Sequence, residues 1–206
     1  MNETSKSIIR RQYDIRFVNT YFKGNGIDIG SGNDSLNRFK YLFPLINDIR
    51  SWDLSDGDAQ YMHTIEDNVY DFVHSSHCLE HLRDPVESFK NWIRICRSGG
   101  HIIVTIPDED LYEQGRFPST FNADHKTSWT IMKYESWSPV SYNLLDFLFM
   151  FRSEIEVLKI ELLNGSFQYN HSRYDQTYHN ISESAIEFIV RKKLPEEITR
   201  KGRYAD

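Results

Sequence analysis

The stretch GIDIGSGNDSL, residues 26–36, decides the fold. An apolar run breaks into a glycine turn, and the turn leads into a polar segment suited to starting a helix. Strand, glycine turn and helix in that order build a ligand site at the carboxyl end of a parallel strand. Gly30 and Gly32 let the backbone turn sharply and approach a ligand where a β-carbon would collide. Asp53 follows a second apolar run, Ile46–Trp52, and lies 21 residues after Gly32. At that distance an acidic side chain takes the hydroxyl pair of a ribose. The expectation is a nucleotide-like ligand held across the first two strands.

Two ligands suit such a layout, and the details favour one. The dinucleotide pattern wants a third glycine where this chain has Ser35. Asp28, inside the strand, places a carboxylate under the turn, which suits the ammonium and sulfonium of S-adenosylmethionine and opposes a pyrophosphate. S-adenosylmethionine is therefore expected in preference to NAD, and an NAD-dependent oxidoreductase is the disfavoured reading.

The rest of the chain alternates in the manner of a doubly wound α/β sheet. Ile8, Ile9, Tyr13, Phe17 and Tyr21 give residues 1–23 a roughly helical spacing. A short helix is expected from Asn33 or Asp34 to Leu42, and further strands at 70–75 and 101–106. Between those two strands Asp84 is an N-cap, Pro85 fits the first helical position and Glu87 stands three after the cap. Val86, Phe89, Ile93 and Cys96 form one apolar face, and Gly99-Gly100 ends the unit. Residues 139–151 read as another helix, with strands at 154–163 and 185–192. One domain is expected over residues 1–194, made of the N-terminal helical segment (1–23) and a core (24–192), followed by a polar, loose tail (195–206).

Composition narrows the classes. At 206 residues the chain suits one domain with a substantial core. A formal net charge of −6 argues against a general nucleic-acid binder, which needs a basic face. Two cysteines, Cys78 and Cys96, fit a reducing compartment better than a disulfide scaffold. The N-terminus has no secretory h-region, and the longest apolar run, 144–151, is too short to span a bilayer. The expected location is the cytoplasm, without membrane insertion.

Four stretches together resemble a known family: GIDIGSG, WDLSDGDAQ (52–60), YDFVHSSHCLEHLRDP (70–85) and RSGGHIIVTIPDEDLYE (97–113). In this order they are similar to the class I S-adenosylmethionine-dependent methyltransferases, in the group with a ubiquinone/sterol-type methyltransferase domain. The segment EQGRFPSTFNADHKTSWT (113–130) resembles a bacterial subgroup associated with surface polysaccharides. The resemblance implies a Rossmann-like, seven-stranded, mostly parallel sheet. It implies that Gly30, Ser31 and Gly32 pack on the methionyl part of the cofactor, with Asp28 at its ammonium. It assigns Asp53 and Leu54 to the ribose side, Asp58 and Ala59 to the adenine, and Ser75, Ser76 and His77 to the methionine and the reacting methyl. The chain departs from the pattern after Asp53. Only five residues separate Asp53 from Asp58, so the helix and third strand that usually intervene are curtailed or displaced.

Methyl transfer to an oxygen of high pKa needs a base, and histidine is the usual one near neutral pH. His77, at a strand end, and His125, in the long 107–129 loop, are the candidates, each weighed against a packing or idle role. In that loop Arg116, Asn122, Asp124, His125 and Lys126 suit a polar or anionic acceptor, such as a sugar, a nucleotide-sugar or a phosphorylated capsule precursor. No Cys or Asp completes a ligand set around His74, His77 and His81, so no metal is expected. Arg10 and Arg11 read as a solvated face or a closure over the pocket. Residues 164–180 line an acceptor pocket or make a homodimer contact. A catalytically silent partner that binds S-adenosylmethionine to scaffold another methyltransferase remains the alternative to an enzyme.

Overall fold

A computed structural model describes residues 2–200; Met1 and the end of the expected tail, 201–206, lie outside the described residues. The strands are β1 (Gly24–Ile29), β2 (Ile46–Trp52), β3 (Tyr70–Ser76), β4 (Cys96–Pro107), β5 (Ser128–Thr130), β6 (Ser141–Asn143), β7 (Ile155–Leu163) and β8 (Ala185–Lys192). The α-helices are α1 (Glu3–Arg11), α2 (Pro85–Ile95), α3 (Leu144–Met150) and α4 (Pro195–Arg200). Six strands form the main sheet in the order β2-β1-β3-β4-β8-β7, while β5 and β6 pair separately. The first four are parallel, and β8 runs antiparallel to both β4 and β7.

The doubly wound expectation holds, with six strands in place of seven. No strand forms between Trp52 and Tyr70 among the described residues. That segment has no apolar alternation, and it is held by side chains instead of a ladder. Met62 and Ile65 plug into the core. The Trp52 and Trp92 indoles donate to Gly57 O and Ala59 O, at 3.2 and 2.9 Å. The Arg94 guanidinium donates to Ile65 O (2.8 Å) and Met62 O (3.0 Å). β2 is left as the sheet edge.

Period-two alternation divides the core between the sheet's two faces. Ile27, Val73, Ile102, Val104, Phe188 and Val190 pack with α2 and α3. Phe72, Ile103 and Ile189 pack with Ile8, Phe17 and Phe22 from the N-terminal segment. α2 starts as the sequence specifies, with one Asp84 carboxylate oxygen accepting from Val86 N and Glu87 N, both at 3.0 Å, but it ends at Ile95, so that Cys96, Gly99 and Gly100 already belong to β4. Other local expectations shift. The helix expected over 139–151 is only α3, preceded by β6, and the segment after the glycine turn is a 3₁₀ helix, Leu36–Leu42, capped by Ser35. Ile9 and Tyr13 are exposed, whereas Ile8, Phe17 and Tyr21 are buried. The start of the expected tail is ordered as α4. No helix among the described residues is long and apolar enough to cross a membrane.

Arg11 corrects the reading of a solvated basic pair, because it is completely buried. It enters a polar stripe that adjacent strands place on the α1 face of the sheet. Its guanidinium donates to Glu187 Oε2 (2.7 and 3.0 Å) and Thr105 Oγ1 (3.1 Å), and lies 2.8 Å from His74 Nε2. His74 Nδ1 is 2.6 Å from Asp28 Oδ1. Burial lowers the His74 pKa more than Asp28 raises it, so the ring is neutral. It donates from Nδ1 and accepts from Arg11 at Nε2, which satisfies both nitrogens.

Candidate functional site

The glycine turn after β1 is tied down from three sides. Gly30 N and Ser31 N both donate to Trp52 O, at 2.9 and 3.1 Å, which fastens the turn to the end of β2. Asp28 Oδ2 accepts from Leu36 N at 2.7 Å and closes the loop behind it. Asp34 accepts from Ser5 N (2.8 Å) and Ser5 Oγ (2.5 Å), docking the start of α1 on the same loop. Gly30 has φ +74°, and a β-carbon there would lie 2.5 Å from Cys78 Cβ and 2.7 Å from its Sγ. Glycine is thus required at this position by both backbone and space.

Beside the turn lies a cleft of about 710 Å³ at the carboxyl ends of β1, β2 and β3. Among the residues singled out from sequence, Gly30, Asp53, Leu54, Asp58, Ala59, His77 and Asp124 line it. Trp52, Gln60, Cys78, His81 and Arg83 line it too, and sequence reasoning gave them no ligand role. Asp53 Oδ1 accepts from Leu54 N (2.8 Å), and Asp58 Oδ1 from Gln60 N (2.7 Å), so both acids stay at the rim of a tight loop. Ser31, Gly32, Ser75 and Ser76 are not among the lining residues, and Gly32 is exposed. The Ser75 and Ser76 hydroxyls are buried without a hydrogen-bond partner among the described residues. Asp28 is displaced from its expected role: both its oxygens are bonded within the fold, so its carboxylate supports the turn from beneath and does not line the cleft.

A histidine–carboxylate cluster adjoins the cleft, which its His77 and His81 line. His77 stands at the tip of β3 with φ +54°, a left-handed conformation that a non-glycine residue adopts only when its surroundings hold it. Its N donates to Thr105 O at 2.9 Å. The 107–129 loop reaches the cluster because Lys126 N (2.8 Å) and Thr127 N (3.2 Å) both donate to Glu80 O. His125 is thereby buried, with Nδ1 2.6 Å from Glu113 Oε1 and its ring packed against Tyr112 and His81. His81 Nδ1 lies 2.9 Å from Asp124 Oδ2. From the other side Glu3 Oε2 approaches His77 Nε2 at 3.8 Å. Glu3 is paired with Lys6 (2.7 Å), which also donates to Thr177 O and Ser182 O, so α1 and the late loop wall in the cluster.

The charges act as burial and neighbours dictate. Burial opposes a protonated His77, but Glu80 and Glu3 outweigh it and raise the pKa above the ordinary imidazole value. Burial, followed by the Glu80 carboxylate, pushes the Cys78 thiol up, which makes it a packing group and not a nucleophile. Arg116 is exposed and outside the cleft lining. Asn122 bonds to Asp124 N (3.1 Å), and the Lys126 ammonium pairs with Asp124 at 2.6 Å. Arg83 is the cation that lines the cleft. Glu80 and Glu113 were missed from sequence. The carboxylate in CLEHL was visible, but its meeting with a loop more than thirty residues later was not.

A family model described as a methyltransferase domain matches residues 10–143, well over half of the chain. No curated protein matches the sequence. Among solved structures, one of a putative S-adenosylmethionine-dependent methyltransferase from Listeria monocytogenes superposes with a TM-score of 0.59 at 11% identity, covering 94% of this chain and 99% of the other. An S-adenosylmethionine-dependent methyltransferase from Archaeoglobus fulgidus gives 0.55 at 17%, with coverages of 94% and 95%. The plantazolicin methyltransferase BpumL in complex with S-adenosylhomocysteine gives 0.56 at 12%, with 94% and 86%. At these identities the structural likeness is one of fold, and it agrees with the sequence match. The chain belongs to the methyltransferase-domain family and has its α/β, Rossmann-like architecture.

Proposed function

We propose that this protein is an S-adenosylmethionine-dependent O-methyltransferase acting on a small polar acceptor. The observation that carries the reading is the cleft itself, lined by a glycine turn that admits no β-carbon, by the acid Asp53 and by His77 and His81 of the histidine–carboxylate cluster. The residues suit the donor. Gly30 to Gly32 give close backbone approach for its methionyl part, Asp53 takes the ribose hydroxyls, and Asp58 with Ala59 borders the adenine. When bound, S-adenosylmethionine supplies an already activated methyl, so the protein must bind, orient and exclude water. As the acceptor oxygen bonds to the methyl carbon, the carbon–sulfur bond breaks and the hydroxyl proton leaves. His77, which lines the cleft, orients the hydroxyl, and its Glu80 and Glu3 neighbours make the imidazole a stronger base for the departing proton, with His125 buried behind it.

The preferred acceptor is a hydroxyl of a sugar, a nucleotide-sugar or a phosphorylated capsule precursor. The support is the polar character of the cleft, where His81, Asp124 and Arg83 offer hydrogen bonds and a cation for an anionic group. Cys78 and Cys96, both free and buried, agree with a reducing cytoplasm. The test is release of S-adenosylhomocysteine from a panel of free sugars, nucleotide-sugars and sugar phosphates. The reading expects turnover on one of these classes and a fall of at least tenfold in His77→Ala with cofactor binding retained. Turnover on none of them, with cofactor bound, refutes the acceptor class.

A further inference from the structure

Glu80 poses a problem that its hydrogen bonds do not solve. Its side chain is fully buried, and neither carboxylate oxygen has a hydrogen-bond partner among the described residues. Oε1 faces imidazole nitrogens instead: His77 Nδ1 at 3.5 Å, His81 Nε2 at 3.9 Å and His125 Nε2 at 4.0 Å. Two of these rings are oriented from behind by carboxylates, His81 by Asp124 and His125 by Glu113. An ionised carboxylate only accepts, so each Nδ1 carries a proton, and the matching neutral tautomer presents its lone pair at Nε2. Two lone pairs and a carboxylate oxygen then converge, with His77 Nδ1, 3.5 Å from Glu80, as the flanking donor. Buried acceptors set against one another lose their hydration and gain nothing in return. A cation among them reverses the sign.

We propose that Glu80, His81 and His125 bind a divalent transition-metal ion at the edge of the cleft. The three candidate ligand atoms lie within 4.8 Å of one another. Ligands about 2.1 Å from a tetrahedral ion stand roughly 3.4 Å apart, so each side chain closes inward by less than about 1 Å. Imidazole ligands select zinc, iron, nickel or copper over magnesium, calcium and manganese. The Nδ1–carboxylate contacts are the outer arrangement that fixes the tautomer of a ligating histidine and strengthens it as a ligand. His81 lines the cleft, which gives the ion an entry path and leaves coordination positions for an acceptor hydroxyl. Such an ion lowers the pKa of an oxygen it binds. This role, but not the binding itself, rests on the methyl-transfer reading.

The test is a calorimetric titration of the metal-stripped full-length protein with zinc and with cobalt, using cobalt's visible absorption to report its ligands. One ion per chain is expected, bound much more tightly than magnesium. His81→Ala and His125→Ala each weaken it at least tenfold and change the cobalt spectrum, and Glu113→Gln weakens it roughly 10- to 100-fold. His81 is partly exposed, so His81→Ala keeps the fold, as circular dichroism will show. No uptake by the wild type, or undiminished uptake with an unchanged spectrum in both histidine variants, overturns the site. S-adenosylhomocysteine is titrated in parallel. Ion bound without it refutes the methyl-transfer reading alone, and its binding without any ion refutes the metal site alone.

Discussion

Replacing Arg11 with Met tests whether the polar stripe beneath α1 holds the N-terminal segment to the sheet. The methionine keeps the helical chain and much of its packing, but removes a guanidinium bonded to Glu187, Thr105 and His74 within a fully buried site. Removing one partner of a buried pair costs about 3–5 kcal/mol, because the other charge is left uncompensated. Glu187 keeps Arg10 at 2.8 Å and Lys159 at 2.9 Å, which places the loss at the low end, about 3 kcal/mol. In a domain of this size that corresponds to a fall of roughly 6–12 °C in Tm. Urea unfolding followed through tryptophan fluorescence reads it directly, since Trp52, Trp92 and Trp129 are buried. Burial raises the Glu187 pKa, yet Arg11, Arg10 and Lys159 outweigh it and hold the carboxyl well below its ordinary range. A carboxyl depressed in the folded state contributes stability above its unfolded pKa, about 4.3, and loses it as pH falls. The gap between wild type and variant therefore narrows on acidification below about pH 4. A loss under about 1 kcal/mol at neutral pH would refute the reasoning, since it would mean that Glu187 is compensated without Arg11.

Three further outcomes follow from single positions. Gly30→Ala should weaken S-adenosylhomocysteine binding more than tenfold, because it adds a collision with Cys78 to a left-handed backbone. Gly32→Ala shares the left-handed φ but meets open space, so it should weaken binding clearly less than Gly30→Ala does; equal effects would remove the collision argument. Burial raises the Asp108 pKa from 3.8 to about 6, against the lowering pull of its bonds from Leu111 and Asp110. A carboxyl raised in the folded state favours folding below its unfolded pKa and loses that contribution as pH rises through about 6. Asp108→Asn should accordingly raise Tm at pH 8 relative to wild type by more than at pH 4, as scanning calorimetry can show; a pH-independent difference would contradict it.

The parts of this molecule that were legible in its sequence are those fixed by local periodicity and caps. β2, β3 and β8, and the start of α2 with its Asp84 cap, fall where short runs of apolar residues and capping chemistry put them. The missing third strand was half visible, in the five residues between Asp53 and Asp58, but Met62, Ile65 and Arg94 show how the gap is closed only in three dimensions. Arg11 looked solvated because nothing local announces that Asp28, His74, Thr105 and Glu187, from four different strands, gather beneath it. The cleft's donor side could be named because it lies at strand ends. The adjoining cluster could not, since Glu80, Glu113 and His125 meet through a loop anchored on one backbone carbonyl.

The central claim is that the cleft beside Gly30 and Asp53 binds the methyl donor. Calorimetric titration of S-adenosylhomocysteine into the wild type and into Asp53→Ala tests it most directly. Micromolar binding by the wild type and a loss of at least tenfold in the variant are expected; no binding by the folded wild type would contradict a donor site there.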